Sequence, residues 1–140
     1  MSRIFWDTNL FIYLFEGTDP LYSQVAGLLD SIQDRGDQLL TSAISLGEVL
    51  VGPVRSNRPD LIRLYTDTIT HSALVVPFDI EAAKIFARLR SASNIAAPDA
   101  IHLACAAAAK TDLFITNDER LHRKQVPGIQ FISGLQNAPL

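Results

Sequence analysis

Short apolar runs alternate with longer stretches of helical periodicity along almost the whole chain, and that alternation limits the fold more than any other feature. RIFW at 3–6, residues 38–40, ALVVP at 73–77, LFIT at 113–116 and a last run around Ile129 to Phe131 each have the length of a buried strand. Helical stretches fill the gaps, at 8–15, up to Arg35 after the turn GTDP, 59–70, 79–90 and 98–110. One more starts at Thr41 or Ser42 and is expected to end at Gly52-Pro53. Leu21, Val25, Leu28, Leu29 and Ile32 recur at spacings of three and four, an amphipathic stripe. Ile80, Ala83 and Ala87 are expected to face the core from the 79–90 helix, and Pro98 suits the first turn of the one that follows. Strands separated by helices predict a mainly parallel sheet covered on both faces, an α/β fold.

At 140 residues the chain is expected to be one domain, 1–140, around a hydrophobic core. Its net charge of −3 excludes a global positive field that would recruit nucleic acid, though not a local basic rim. The single cysteine, Cys105, has no internal partner and sits in HLACAAAAK, which reads as a packed helix and suggests a reducing compartment. No run approaches the length of a membrane span, and the apolar start is interrupted by Arg3, Asp7, Asn9 and Glu16, unlike a signal peptide. A cytoplasmic protein with no membrane partner is expected.

Asp7 and Asn9 stand inside IFWDTNLFIYLF, otherwise apolar enough to be core. A lone buried carboxylate is costly unless it is paired or binds a metal. Three more acids are placed to join it. Asp118 follows the LFIT strand, Asp99 opens the PDAIHLACAAAA helix, and Glu48 shares the side of its helix with Ile44 and Val51. In an open parallel sheet the carboxyl ends of the strands form the binding rim. Carboxylates gathered there repel unless a cation intervenes, and an oxygen-only site suits Mg²⁺ or Mn²⁺ better than zinc. Such an ion can activate a water and offset charge on a leaving oxygen.

Each acid taken singly has a structural alternative. Asp7 can cap a helix with Thr8, Asp99 suits a helix dipole, Asp118 suits a turn, and Glu48 can face solvent. Asn9, Thr116 and Asn117 can orient the carboxylates or cap the backbone. His102, three residues after Asp99, reads as a packing or rim histidine, and His71 and His122 as surface residues. Arg120, Arg123 and Lys124 follow Asp118 closely enough to contact a phosphate backbone, or form a solvated face. A phosphatase with Asp7 as nucleophile is disfavoured, because position 9 is Asn where that scheme wants a second aspartate.

The segments IFWDTNLFIYLF, TSAISLGEVLVG, IAAPDAIHLACAAAAK and DLFITNDERL together resemble the PIN-domain family, and within it the VapC-type toxin ribonucleases. The family's four acids match Asp7 in DTN, Glu48 in SLGEV, Asp99 in PDAIHLA and Asp118 in TND, with Thr116 and Asn117 matching the last motif. The resemblance implies an open three-layer fold with a five-stranded sheet in the order 3-2-1-4-5. It implies an Mg²⁺- or Mn²⁺-dependent endoribonuclease, a hydrolase acting as the toxin of a toxin–antitoxin pair. Asp7, Asp99 and Asp118 would bind metal, while Glu48 would either bind it too or align the attacking water. A homodimer held inactive by a small antitoxin is implied as well. The rival readings are a housekeeping PIN nuclease without an antitoxin and a catalytically silent scaffold that binds RNA or protein.

Overall fold

Ile4 and Trp6 point to one face of β1 (Arg3–Trp6) and Phe5 to the other, and all three are fully buried. That two-residue alternation divides the interior into two cores. The computed structural model describes all 140 residues, Met1–Leu140. β1 is joined by β2 (Gln38–Ser42), β3 (Leu74–Val76), β4 (Thr111–Ile115) and β5 (Ile129–Ser133) in a single sheet of order β3-β2-β1-β4-β5. All four neighbouring pairs are parallel, the topology expected from the sequence.

Four helices, α1 (Thr8–Glu16), α2 (Leu21–Arg35), α3 (Ala43–Arg55) and α4 (Pro59–Ser72), contribute to the core on the Ile4/Trp6 face. Helices α5 (Ile80–Ala92) and α6 (Ala97–Ala108) cover Phe5, Leu40 and Phe114 on the other. The division follows from handedness. The chain steps outward from β1 to β2 to β3, then reverses to place β4 beside β1, so a right-handed crossover must lie on the opposite face. No helix is long and apolar enough to cross a membrane. Cys105 is buried and its thiol is pushed up to about 11 by burial, as a small packed residue would be.

Two helical phases differ from the sequence reading. In α5 the buried positions are Ala82 and Leu89, with Ile85 and Phe86 partly buried between them. Ile80 is 77% exposed and Ala83 and Ala87 face solvent. Ile80 is the first residue of the helix, and the stripe it suggested is rotated away from α6. In α3 the buried residues are Ser45, Val49 and Pro53, whereas Ile44 and Val51 are 39% and 44% exposed. Glu48 is therefore not on a core face. Nor does Pro53 end α3, which continues to Arg55. The proline lies in the last turn, and Ser56 N–H and Arg58 N–H bond the Gly52 and Pro53 carbonyls beyond it.

Candidate active site

β1 and β4 are adjacent, but the chain leaves β1 toward β2 and leaves β4 toward β5. Their carboxyl ends thus flank the point where strand order reverses, the usual crevice of an open α/β sheet. Asp7 directly follows β1, and its N–H bonds the Ile115 carbonyl at 3.0 Å, extending the β1–β4 ladder past the strand end. Thr116, Asn117 and Asp118 follow β4. The starts of α3 and α6 bring Glu48 and Asp99 to the same rim. Asp7, Glu48, Asp99 and Asp118 line one depression of about 280 Å³, together with Asn9 and His102.

Asp7 is 7% exposed and both of its oxygens have protein donors. Oδ1 accepts from the Thr8 N–H at 2.8 Å, so Asp7, not Thr8, caps α1. Oδ2 accepts from the Thr116 hydroxyl at 2.7 Å. Thr116 is fully buried, and its Oγ1 also accepts from the Asp118 N–H at 3.1 Å and the Asn9 amide at 3.4 Å. Asn9 in turn accepts from the Asn117 N–H at 3.3 Å, and the Asn117 amide donates to Tyr13 at 3.1 Å. Asn9, Thr116 and Asn117 thus tie the ends of β1 and β4 into one polar unit.

Glu48 is held from two sides. The Thr8 hydroxyl donates to its Oε1 at 2.7 Å, and His102 Nε2 meets the same oxygen at 2.7 Å. A carboxylate only accepts, so Nε2 carries a proton, and in the neutral ring Nδ1 is then an acceptor. Ser42 Oγ and Ser45 Oγ stand 3.2 and 3.3 Å from Nδ1, and Ser42 also caps α3 through the Ser45 N–H. His102, 5% exposed, lines the depression and does more than pack: it ties α6 to Glu48 and to the start of α3. His122 also departs from the sequence reading. It is half-buried, donates from Nε2 to the Thr116 carbonyl at 2.8 Å, and packs so tightly that a Cβ at Gly134 would lie 2.8 Å from its Cε1.

Asp99 differs from its neighbours: its carboxylate takes no hydrogen bond from the protein. Burial raises its pKa above the ordinary value of 3.8, and the like charges of Asp118 and Asp7 push the same way. Arg120 opposes them. Its guanidinium clamps both oxygens of Asp118, with Nε 2.9 Å from Oδ1, and its Nη2 stands 3.6 Å from Asp99. The clamp holds the Asp118 carboxyl below the usual range. Arg123 and Lys124 lie farther along the same segment, outside the acidic depression.

The donor set fits a hard divalent cation: four carboxylates and no thiolate around one depression, with an Asp99 carboxyl that takes no hydrogen bond from the protein. The spacing fits less closely. No three of the acidic, histidine or cysteine side chains converge tightly enough to close round one ion as they stand, and Arg120 supplies the positive charge between Asp99 and Asp118. Sequence reasoning missed the Arg120 clamp, the Ser42–Ser45–His102–Glu48 chain and the His122 contact. Only the three-residue spacing of Asp99 and His102 pointed to any of them.

The PIN domain family model matches residues 4–127. No curated protein matches the sequence. Among solved structures, a chain of DNA-bound VapBC from Salmonella typhimurium is similar at a TM-score of 0.73 and 18% identity, covering 96% of this chain and 99% of that one. A chain of VapBC2 from Rickettsia felis, bound to a DNA fragment from its promoter, has a TM-score of 0.70 at 17% identity over 94% of this chain and 98% of that one. A chain of a toxin–antitoxin complex from Klebsiella pneumoniae has a TM-score of 0.67 at 23% identity, over 90% and 94% respectively. At these identities the likeness is one of fold.

Proposed function

The chain belongs to the PIN-domain family, and we propose that it is a divalent-metal-dependent endoribonuclease acting as the toxin of a toxin–antitoxin pair. The observation that carries the nuclease reading is the gathering of Asp7, Glu48, Asp99 and Asp118 around one depression, in which the Asp99 carboxyl takes no hydrogen bond from the protein. Asp7, Asp99 and Asp118 would hold Mg²⁺ or Mn²⁺, with Glu48 either joining them or aligning the attacking water. The bound ion would supply a Lewis acid that makes water a better nucleophile and offsets charge on the leaving oxygen. Glu48 Oε1 is fixed by Thr8 and His102, while Oε2 accepts no hydrogen bond from the protein and is free to take a proton from water. Thr116 and Thr8 hold Asp7 in one orientation as charge develops at the phosphate. Attack in line on phosphorus would break the P–O3′ bond, leaving a 5′-phosphate and a 3′-oxygen that takes its proton from solvent water.

The toxin assignment and a small antitoxin partner are supported by the resemblance of fold to chains of VapBC complexes. A homodimer is proposed with them. A metal-free RNA-binding scaffold is favoured by the Arg120 clamp and by the open spacing of the acids. One experiment separates the readings: purified protein is incubated with RNA in Mg²⁺, in Mn²⁺ and in EDTA, beside Asp7→Asn. Cleavage with either metal, ends bearing 5′-phosphate, and loss with EDTA or the variant are expected. Products ending in 2′,3′-cyclic phosphate, or Asp7→Asn cleaving like wild type, would remove the assignment. Co-expression with whatever small open reading frame adjoins the gene tests the toxin part. A neighbour that neither binds nor protects cells leaves a nuclease without an antitoxin.

A further inference from the structure

Beside the acidic depression the surface changes sign. A groove of about 800 Å³ runs along β5, lined by Arg123, Lys124, Gln125, Gln130 and Phe131 among others, with no carboxylate in its lining. A second hollow of about 500 Å³ shares Arg123 and His122 with it and adds Arg120, Asn117 and a single acid, Glu119. A third, of about 260 Å³, joins Lys124 and Arg120 to Arg90 and to Asp99 at the edge of the acidic site. Arg120, Arg123 and Lys124 each line two of the three hollows, which together make a belt around the segment 119–124. Four of the chain's twelve Lys and Arg residues stand on it, although the protein as a whole is acidic.

Phe131 is the unexplained member of the belt. It is 67% exposed on an edge strand and belongs to none of the four aromatic pairs in the molecule. A bare aromatic on an unpaired strand edge invites aggregation unless something covers it. Its place is fixed relative to the acids: Phe131 pairs with Leu113, Ser133 pairs with Ile115, and the Ser133 carbonyl bonds the N–H of Thr116. Two strand residues, roughly 7 Å, therefore separate it from the end of β5 that meets the Asp7-binding Thr116.

We propose that this belt is a track for single-stranded RNA, with Arg120, Arg123 and Lys124 facing phosphates and Phe131 stacking on one unpaired base. The identity of the ligand rests on the nuclease reading; the place and chemistry of the track rest on the groove. Cations beside an isolated aromatic match what single strands require, a charged path and a π-face. In a duplex each base is already stacked on both faces, so Phe131 selects the unpaired form. A second copy docking edge to edge through β5 would confront Arg123 and Lys124 with themselves, which disfavours it.

The test is fluorescence anisotropy of the full chain with a labelled single-stranded oligoribonucleotide of about 12 nucleotides, in EDTA so that cleavage does not intervene. Phe131→Ala should weaken binding about tenfold, and Phe131→Trp should restore it, which a structural effect of the alanine would not allow. The double variant Arg123→Gln, Lys124→Gln should lower the slope of log affinity against log salt by about 1.4. Equal affinity of wild type and Phe131→Ala overturns the track. So does a polyglutamate peptide that binds with the same Phe131 dependence, which would assign the groove to an acidic polypeptide. RNA cleavage with metal, run in parallel, keeps the two readings apart. Cleavage without any effect of Phe131 on binding sinks the track alone, and Phe131-dependent binding without cleavage sinks the nuclease alone.

Discussion

Asp99 and Glu48 are single residues whose neighbours set testable behaviour. Because the Asp99 pKa is raised in the folded protein, folding takes up a proton there between its ordinary and folded values. The stability tied to this group is full below the ordinary value and is lost as pH rises through the folded one. Asp99→Asn removes the repelling charge, so in EDTA at neutral pH it should raise Tm by about 2 °C. The gain should vanish below the ordinary value of 3.8. Thermal unfolding followed by circular dichroism measures both, and an unchanged Tm at neutral pH would contradict the like-charge argument. Glu48 depends on His102 for one of its two donors. His102→Leu should lower kcat for RNA about 30-fold with little change in KM, and His102→Gln, which can still donate, should keep most of the rate. On a Glu48→Gln background the leucine should cost nothing further, since the two residues act as one unit.

At the scale of elements, helical phase decides what each side chain meets. Glu48 was reached from the right helix but for the wrong reason. Its side chain is 44% exposed, and it comes to the site because α3 starts directly at the end of β2. On α1 and α2, Phe11, Val25 and Ile32 are buried within the fold, and Phe15 stacks on Tyr65 of α4 at 4.2 Å. The entry to β5 is another such constraint. Gly128 has a φ of +99°, and a Cβ there would lie 2.7 Å from the Ala107 carbonyl oxygen at the end of α6. Gly128→Ala is both strained and obstructed by backbone, and should lose about 2 kcal/mol in urea unfolding. A loss within error of zero would mean that the turn re-forms freely.

For the molecule as a whole, charge balance at the rim would couple the proposed metal and RNA to the segment after β4. Arg120 bridges Asp118 and Asp99, so it competes with any cation those acids would bind. Mn²⁺ should raise the Tm of the wild-type protein by mass action. Arg120→Gln should bind Mn²⁺ roughly fivefold more tightly by isothermal calorimetry in the absence of RNA. Unchanged affinity would show that Arg120 does not stand in the metal's place. If RNA draws Arg120 onto a phosphate, the wild type should gain Mn²⁺ affinity when the oligoribonucleotide is present, and Arg120→Gln should gain less.

The sequence by itself determined the parallel α/β sheet and the positions of Asp7 and Asp118 just beyond strands, while the resemblance to the PIN family supplied the strand order and the set of Asp7, Glu48, Asp99 and Asp118. These are properties of order along the chain. A strand between two helices has few ways to pair, and a residue placed just beyond a strand goes to the carboxyl rim whatever its side chain then does. Only the tertiary structure decided the partners at that rim. Asp7 receives the Thr116 hydroxyl from across the β1–β4 seam, Glu48 receives His102 from α6, and Arg120 turns back on Asp118. The first two join residues 109 and 54 positions apart, beyond the reach of any local period. The last is only two residues long, but it exists because β4, α6 and the 119–124 segment meet at one corner, where a guanidinium finds two carboxylates at once.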